Sequence, residues 1–250
     1  MASMSTLWRD AWRAVHPVKL LVGAPVRQRT WILPLWREHV LASCADAGVK
    51  PEFLFVAGAT DTATVDLLRT WPNTTIVTVN DVERPDYRDW SPPERVAMLA
   101  ALRNRLLRTV REAGPDLFLS LDTDILLCER TVGQLLQTLE TTQASAVGGK
   151  AYMTPNGTSD PSYGMSAAGR FHRTACSDVL PVDIIMGAKL MQPEAYNVDY
   201  GYHLAGEDIY WSLAVKEAGG TLWWDGRTAN RHVMTYSAMY LLDPRVDCPT

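Results

Sequence analysis

The chain has 250 residues, of which 47% are hydrophobic and 21% charged, and its formal net charge is -4. This composition is typical of a folded globular protein and excludes an intrinsically disordered one. The slightly acidic balance argues against a large footprint on nucleic acid or on an anionic membrane. No stretch approaches the ~20 apolar residues that span a bilayer, and the N-terminus lacks the apolar core of a signal peptide. We therefore expect a soluble cytoplasmic protein without an integral membrane segment, with a peripheral membrane role left open.

Residues 1–17 place tryptophan, leucine and valine side chains among charged ones, at helical spacing. This pattern predicts a short amphipathic helix, which we expect to pack on the body of the protein as an N-terminal extension. A membrane-surface or partner-binding role is the alternative.

Four cysteines are spread over the chain: Cys44, Cys128, Cys176 and Cys248. No two form a CxxC motif, so the sequence predicts neither a zinc site nor a redox-active pair. Reduced thiols, as in a cytosolic protein, are the simplest interpretation.

Apolar runs of strand length alternate with a helical pattern in the first part of the chain. Strands are predicted at residues 18–22, 53–56 and 75–79, with a helix at residues 35–47. Such alternation predicts a parallel sheet covered by helices on both faces.

The first predicted strand ends in a run of small residues, and a basic stretch follows. Ligands of open α/β sheets bind outside the carboxyl ends of the strands. Ala24, Pro25 and Arg27 are therefore candidates for holding a nucleotide base and phosphate. Asp61 closes a similar small-residue turn after the second strand and joins this set. A surface loop with solvated arginines is an equally good interpretation.

A long helix is predicted from Ser91-Pro92-Pro93-Glu94, which supplies an N-cap, first-turn prolines and a capping acid. Its apolar residues have helical spacing, with arginines interleaved. Arg103 is a candidate binding residue, because this helix leads directly into the central strand of the fold.

The apolar run at residues 117–121 ends in Asp122-Thr123-Asp124. Charge at the tip of a buried strand is costly unless it is compensated. A hard divalent cation with oxygen ligands would compensate it, in a position where a site is expected. Aspartate is also a common turn residue, so the motif alone is equally consistent with a strand-to-turn exit.

The second half of the chain continues the alternation of strands and helices. Gly187 interrupts one apolar run, which often marks a bulge or the close approach of a ligand. Residues 152–169 lack periodicity and are expected to form a functional loop or lid, mobile without ligand. The other predicted elements are helices at residues 131–141 and 207–218, and strands at residues 145–147, 181–191 and 221–224.

Taken together, these features resemble those of the GT-A fold glycosyltransferases, enzymes that move a sugar from a nucleoside diphosphate to an acceptor. The Asp-x-Asp motif of that family matches Asp122-Thr123-Asp124, and its glycine loop matches Met186-Gly187-Ala188. Its acidic pair at a helix start matches Glu207-Asp208, and its C-terminal metal-binding histidine matches His232. The sequence around Arg103-Asn104 is also similar to a helix of several such families, including fungal mannosyltransferases.

The resemblance runs from about residue 18 to residue 232 and implies a single domain over residues 1–250. The implied fold is α/β and Rossmann-like, with a mixed, mostly parallel central sheet flanked by helices. Residues 18–124 would form the nucleotide-binding half, and residues 125–250 the acceptor-binding half. The acidic residue that usually occurs early in the first loop of the family is absent.

The resemblance also implies a metal site and a donor site. Asp124 and His232 would hold Mn²⁺ (or Mg²⁺), and Asp122 would reach the ion through water or bind the ribose. The imidazole favours Mn²⁺. The implied donor is a UDP- or GDP-linked sugar, and the candidate donor contacts are Ala24, Pro25, Arg27, Asp61, Arg103, Asp122, Thr123 and Gly187.

Sugar transfer requires a base for the acceptor hydroxyl. The resemblance assigns this role to Asp208 in an inverting reaction, with Glu207 orienting the acceptor. Acids in a first helical turn are favoured by the helix dipole whatever the function. Two alternatives stay open because fold does not determine function: a nucleotidyltransferase, and a non-catalytic protein that binds nucleotide sugars. The acceptor and the oligomeric state are not readable from the sequence.

Overall fold

The computed structural model describes residues 18–80, 92–152, 164–165 and 178–233. The predicted helix of residues 1–17 and most of the predicted lid at residues 152–169 lie outside them. Within the described part of the chain, no helix has both the length and the apolar character that crossing a bilayer requires.

Strands and helices alternate along the chain as predicted. The first half contains β1 (Leu20–Val26), α1 (Leu33–Asp46), β2 (Pro51–Gly58), α2 (Thr62–Arg69), β3 (Thr74–Val79), α3 (Pro92–Ala113) and β4 (Leu117–Leu121). The second half contains β5 (Ile125–Leu126), α4 (Thr131–Thr142), β6 (Ala146–Tyr152), β7 (Gly164–Met165), β8 (Val179–Val182), β9 (Ile184–Ile185), β10 (Ala188–Met191), α5 (Pro193–Tyr196), α6 (Glu207–Glu217) and β11 (Leu222–His232).

Nine of the described strands form one mixed sheet in the order β3-β2-β1-β4-β10-β6-β11-β5, with β8 also paired to β11. Strands β3, β2, β1 and β4 are parallel to one another. Strand β10 is antiparallel to both β4 and β6, and β6 is parallel to β11. Strand β11 therefore runs in the same direction as β4, and the carboxyl ends of both strands lie at one edge of the sheet.

Helices cover both faces of this sheet. Successive side chains of a strand point to opposite faces, so neighbouring residues of β2 enter different buried clusters. Phe55 packs in a cluster with Trp36 of α1, whereas Leu54 packs in a cluster with Leu106 of α3. Helices α1, α2 and α4 line the first face, and α3, α5 and α6 line the second. The predicted α/β architecture is confirmed.

Two strands continue through glycines that the sequence analysis interpreted as strand ends. The Gly23-Ala24-Pro25 segment lies inside β1 and pairs with β2 in parallel. A Cβ atom at Gly23 would lie 2.3 Å from the Leu54 carbonyl oxygen. Strand β6 runs through Gly148, where a Cβ atom would lie 2.8 Å from that of Ile185. These glycines permit close packing rather than chain reversal.

Strand β11 also continues, beyond residue 224, where the predicted strand ended. Its register with β6 shifts between Asp225 and Asn230, and both side chains are fully buried. Helix α4 satisfies them: Thr138 donates to Asp225 and Thr131 donates to Asn230, each at 2.7 Å. Because these polar groups are compensated, the strand extends to His232.

The cysteines differ from the expectation of reduced thiols. Cys44 is free and buried in α1, and burial raises its pKa to about 12. Cys128 is disulfide-bonded, so the expectation is wrong for this residue. Spacing along the chain does not tell which cysteines the fold brings together.

Candidate active site

The Asp122-Thr123-Asp124 segment follows β4 directly, and its backbone is held from three sides. The Asp122 N–H donates to the Gly187 carbonyl oxygen (3.0 Å), and the Val233 N–H donates to the Asp124 carbonyl oxygen (2.6 Å). The Trp36 indole N–H donates to the Asp122 carbonyl oxygen (3.1 Å). These bonds tie the tip of β4 to the β9–β10 turn, to the end of β11 and to α1.

One group of side chains surrounds Asp124, and we call it the outer cluster: Arg29, Asp124 and His232. The Arg29 guanidinium donates to Asp124 Oδ2 at 2.9 Å, and His232 Nε2 lies 3.2 Å from Asp124 Oδ1. Burial alone would raise the pKa of Asp124. The hydrogen bond to His232 and the charge of Arg29 outweigh burial and lower that pKa below its usual value.

A second group, the inner cluster, consists of Arg103, Asp122, Lys189, Glu207 and Asp208. Arg103 projects from α3 and is only 6% exposed. Its Nε donates to Glu207 Oε1 at 3.0 Å, and a terminal nitrogen donates to Asp122 Oδ1 at 2.9 Å. Asp208 Oδ1 lies 3.8 Å from the same Nε. One guanidinium thus links β4 to the start of α6.

Lys189 of β10 is the member of the inner cluster that the sequence analysis missed. Its side chain is completely buried, and its ammonium group bonds to Asp208 Oδ1. The ammonium also lies 5.1 Å from the ring centre of Tyr200 and 5.2 Å from that of Trp211. A lysine inside the apolar run of residues 188–191 was the available signal, because such a charge is buried only when it is paired.

Burial and charge act in opposite directions on the carboxylates of the inner cluster. Burial would raise the pKa of Asp208, but Lys189 and Arg103 outweigh it and lower that pKa. Asp122 has a raised pKa because burial and the nearby charges of Asp208 and Asp124 outweigh Arg103. Asp208 is therefore held as a carboxylate at neutral pH.

Gly187 contacts both aspartates of the site. Its carbonyl oxygen accepts from the Asp122 N–H, and its own N–H helps to lower the pKa of the Asp208 carboxylate. Its φ of +73° is in the left-handed region, and a Cβ atom would lie 2.8 Å from Cδ1 of Ile125. Only glycine fits this position without strain or displacement of its neighbours.

The predicted donor contacts outside the two clusters are more dispersed. Ala24 is buried within β1, Pro25 is half-buried in the same strand, and Arg27 is exposed. Asp61 accepts from the Gln28 N–H at 2.6 Å and caps α2 through the Thr64 N–H. Asp61 thus holds the loop that carries Arg29. Thr123 is buried between the two aspartates.

The outer cluster is suited to a divalent cation as a partial ligand set. Neighbouring ligands of a small cation with bonds of ~2.1 Å lie about 3 Å apart, which is close to the 3.2 Å between Asp124 and His232. No group of three or more metal-binding side chains occurs among the residues that the structure describes. Asp122 bonds instead to Arg103. A hard cation with few protein ligands completes its shell with phosphate oxygens and water.

Comparison with known proteins identifies the fold. No protein-family model matches the chain, and no curated protein sequence matches it. Among solved structures, S. aureus TarS residues 1–349 in complex with UDP-GlcNAc is 11% identical, with a TM-score of 0.54, and covers 86% of this chain and 58% of that one. The complex with UDP is 10% identical, with a TM-score of 0.52, and covers 90% and 63%.

The chain has the GT-A fold. At this level of identity, the likeness establishes the fold alone. The chain spans about three fifths of the length of the TarS structures that it matches.

Proposed function

We propose that the protein is a glycosyltransferase that moves a sugar from a nucleoside diphosphate to an acceptor hydroxyl. The observation that carries this proposal is the meeting of the outer and inner clusters at one edge of the sheet. Asp122 and Asp124 come from the tip of β4, His232 from the end of β11, and Asp208 from the first turn of α6. The GT-A fold supports the proposal.

Asp124 and His232 would hold the divalent cation, and we favour Mn²⁺ over Mg²⁺ because of the imidazole. Such a cation, when bound, neutralises charge that develops on the departing diphosphate. We assign donor binding chiefly to residues 18–124 and acceptor binding to residues 125–250. The TarS structures contain UDP-GlcNAc or UDP, so a UDP-linked sugar is the first donor to test and a GDP-linked sugar the second.

Asp208 is the proposed base of an inverting transfer. As the acceptor oxygen bonds to the anomeric carbon, its proton passes to the Asp208 carboxylate. The bond between the anomeric carbon and the diphosphate breaks, and the diphosphate leaves with the electron pair. Lys189 and Arg103 keep Asp208 ionised beforehand. Glu207, held by Arg103 at 3.0 Å, is positioned to orient the acceptor.

A thermal-shift screen of nucleotide sugars with and without MnCl₂ tests donor binding. Because a ligand of the native state stabilises it, the correct donor should raise Tm, and Mn²⁺ should enlarge the rise. The donor that binds is then assayed for sugar transfer and hydrolysis in the wild type and in Asp208→Asn. We expect the variant to keep donor affinity while kcat falls by roughly 100-fold or more, the usual contribution of a general base.

Two outcomes would overturn the proposal. Donor binding without turnover, equal in both proteins, would indicate a binding protein. Incorporation of a nucleoside monophosphate with release of pyrophosphate would indicate a nucleotidyltransferase. Full transfer activity in Asp208→Asn would refute the assignment of the base while leaving the glycosyltransferase in place.

A further inference from the structure

Arg29 occupies one oxygen of the carboxylate that is proposed to bind the cation. Its guanidinium donates to Asp124 Oδ2 at 2.9 Å, on the side opposite His232, which lies near Oδ1. The Arg29 side chain is 29% exposed, and that of Asp124 is 14% exposed. The arginine side of the contact is therefore partly exposed, the carboxylate side is mostly buried, and one hydrogen bond joins them.

Hydrogen bonds in the loop between β1 and α1 fix the backbone position of Arg29. Gln28 has a φ of +50°, in the left-handed region that is unfavourable for a non-glycine residue. Such a conformation persists where its surroundings hold it, and here the Asp61 carboxylate accepts from the Gln28 N–H at 2.6 Å. Beyond the turn, the Arg29 carbonyl oxygen accepts from the N–H groups of Ile32 and Leu33, each at 3.0 Å. Arg29 is thus anchored at its backbone, while its head group donates to Asp124 and lies 5.7 Å from the ring centre of Trp31.

Arg103 provides the contrast within the same site. It is 6% exposed and contacts three carboxylates, those of Asp122, Glu207 and Asp208. Removing such a guanidinium from its partners would leave several buried charges uncompensated. Arg29 can leave Asp124 at lower cost, because its own head group is partly exposed and because His232 still lies 3.2 Å from the carboxylate.

We propose that Arg29 is an exchangeable counter-ion of Asp124. It neutralises the carboxylate before the cation binds, and it turns to the donor diphosphate once the cation has taken Asp124. This inference rests on the proposed function for its second step. A cation and a guanidinium compete for one carboxylate because both carry positive charge. The released guanidinium has a planar set of donors that matches phosphate oxygens.

The proposal makes two predictions of opposite sign for Arg29→Met. Isothermal titration with MnCl₂ alone should give a Kd about tenfold lower than that of the wild type, because a charge-assisted hydrogen bond no longer has to be broken. Titration with UDP at saturating Mn²⁺ should give a Kd about tenfold higher, because a phosphate contact is lost. A general perturbation of the fold would not strengthen the binding of Mn²⁺ and at the same time weaken the binding of UDP.

Two further variants serve as controls. Arg69→Met removes the same charge from the far end of α2, where Arg69 is exposed and pairs with Asp66, and both Kd values should match the wild type. Arg29→Lys keeps the charge without the planar fork, and both Kd values should lie between those of the wild type and Arg29→Met.

Two results would refute the proposed exchange of Arg29 for the cation. One is an unchanged Kd for Mn²⁺ in Arg29→Met, and the other is the absence of Mn²⁺ binding in the wild type and in all variants. A lower Kd for Mn²⁺ without any sugar transfer from the donor screen would instead support the exchange and count against the proposed function. The two failures are therefore distinguishable.

Discussion

The two charged clusters of the site differ in burial and in the number of bonds that each cation makes. In the inner cluster, the side chains of Lys189 and Arg103 are 0% and 7% exposed, and together they contact three carboxylates. In the outer cluster, Arg29 is 29% exposed and makes one bond to Asp124. Burial of the cations makes the inner pairs costly to break, whereas water can reach the Arg29 side of the outer pair. The inner cluster is thus suited to fixing the proposed base, and the outer one to the proposed exchange of a cation.

The largest expected effect on stability is that of Lys189→Met. Removing Lys189 from this buried ion pair takes away the main counter-charge of Asp208, so the free energy of unfolding should fall by roughly 3–5 kcal/mol. Urea unfolding followed by circular dichroism measures it. Lys216→Met is the matched control: Lys216 pairs with Asp183 but is 40% exposed, and its loss should cost about 1 kcal/mol or less. Equal losses in the two variants would remove the distinction between buried and exposed pairs.

The inner cluster also predicts a pH dependence. The native pKa of Asp208 lies below the usual 3.8, so its ionisation stabilises the native state above that pH, and the contribution is lost as pH falls through the native pKa. The stability difference between wild type and Asp208→Asn should be constant near neutrality and shrink below pH 3.8. Urea unfolding over a pH series measures it. A difference that grew on acidification would contradict the lowered pKa.

The smallest expected effect is that of Arg29→Met without ligands. Because the Arg29 to Asp124 pair is partly exposed, its loss should change the free energy of unfolding by about 1 kcal/mol or less. Thermal unfolding in metal-free buffer is the measurement. A loss as large as that of Lys189→Met would mean that Arg29 is a structural residue and would remove the basis for its exchange.

The local pattern of apolar and polar residues in the sequence was sufficient to predict most of the fold. The alternation of apolar runs and helical stripes predicted the α/β architecture, since each element must bury one face against another. It failed at Gly148 and at Asp225, where a glycine or an acid is typical of a turn. Both lie inside strands, because Ile185 packs against the glycine and Thr138 satisfies the acid. Those partners are distant in the sequence.

In the candidate site, too, some features follow from the local sequence and others depend on residues that are distant in the chain. The sequence marked Asp122, Asp124 and Glu207-Asp208 as candidates, because carboxylates at the end of a strand or the start of a helix are local features. The family resemblance added His232. Only the tertiary structure decided their partners. Lys189 and Arg29 acquired their roles because strand order brings β10 between β4 and β6, and because the turn at Gln28 directs a loop toward β4. Electrostatic pairing acts through space, and distance along the chain does not report it.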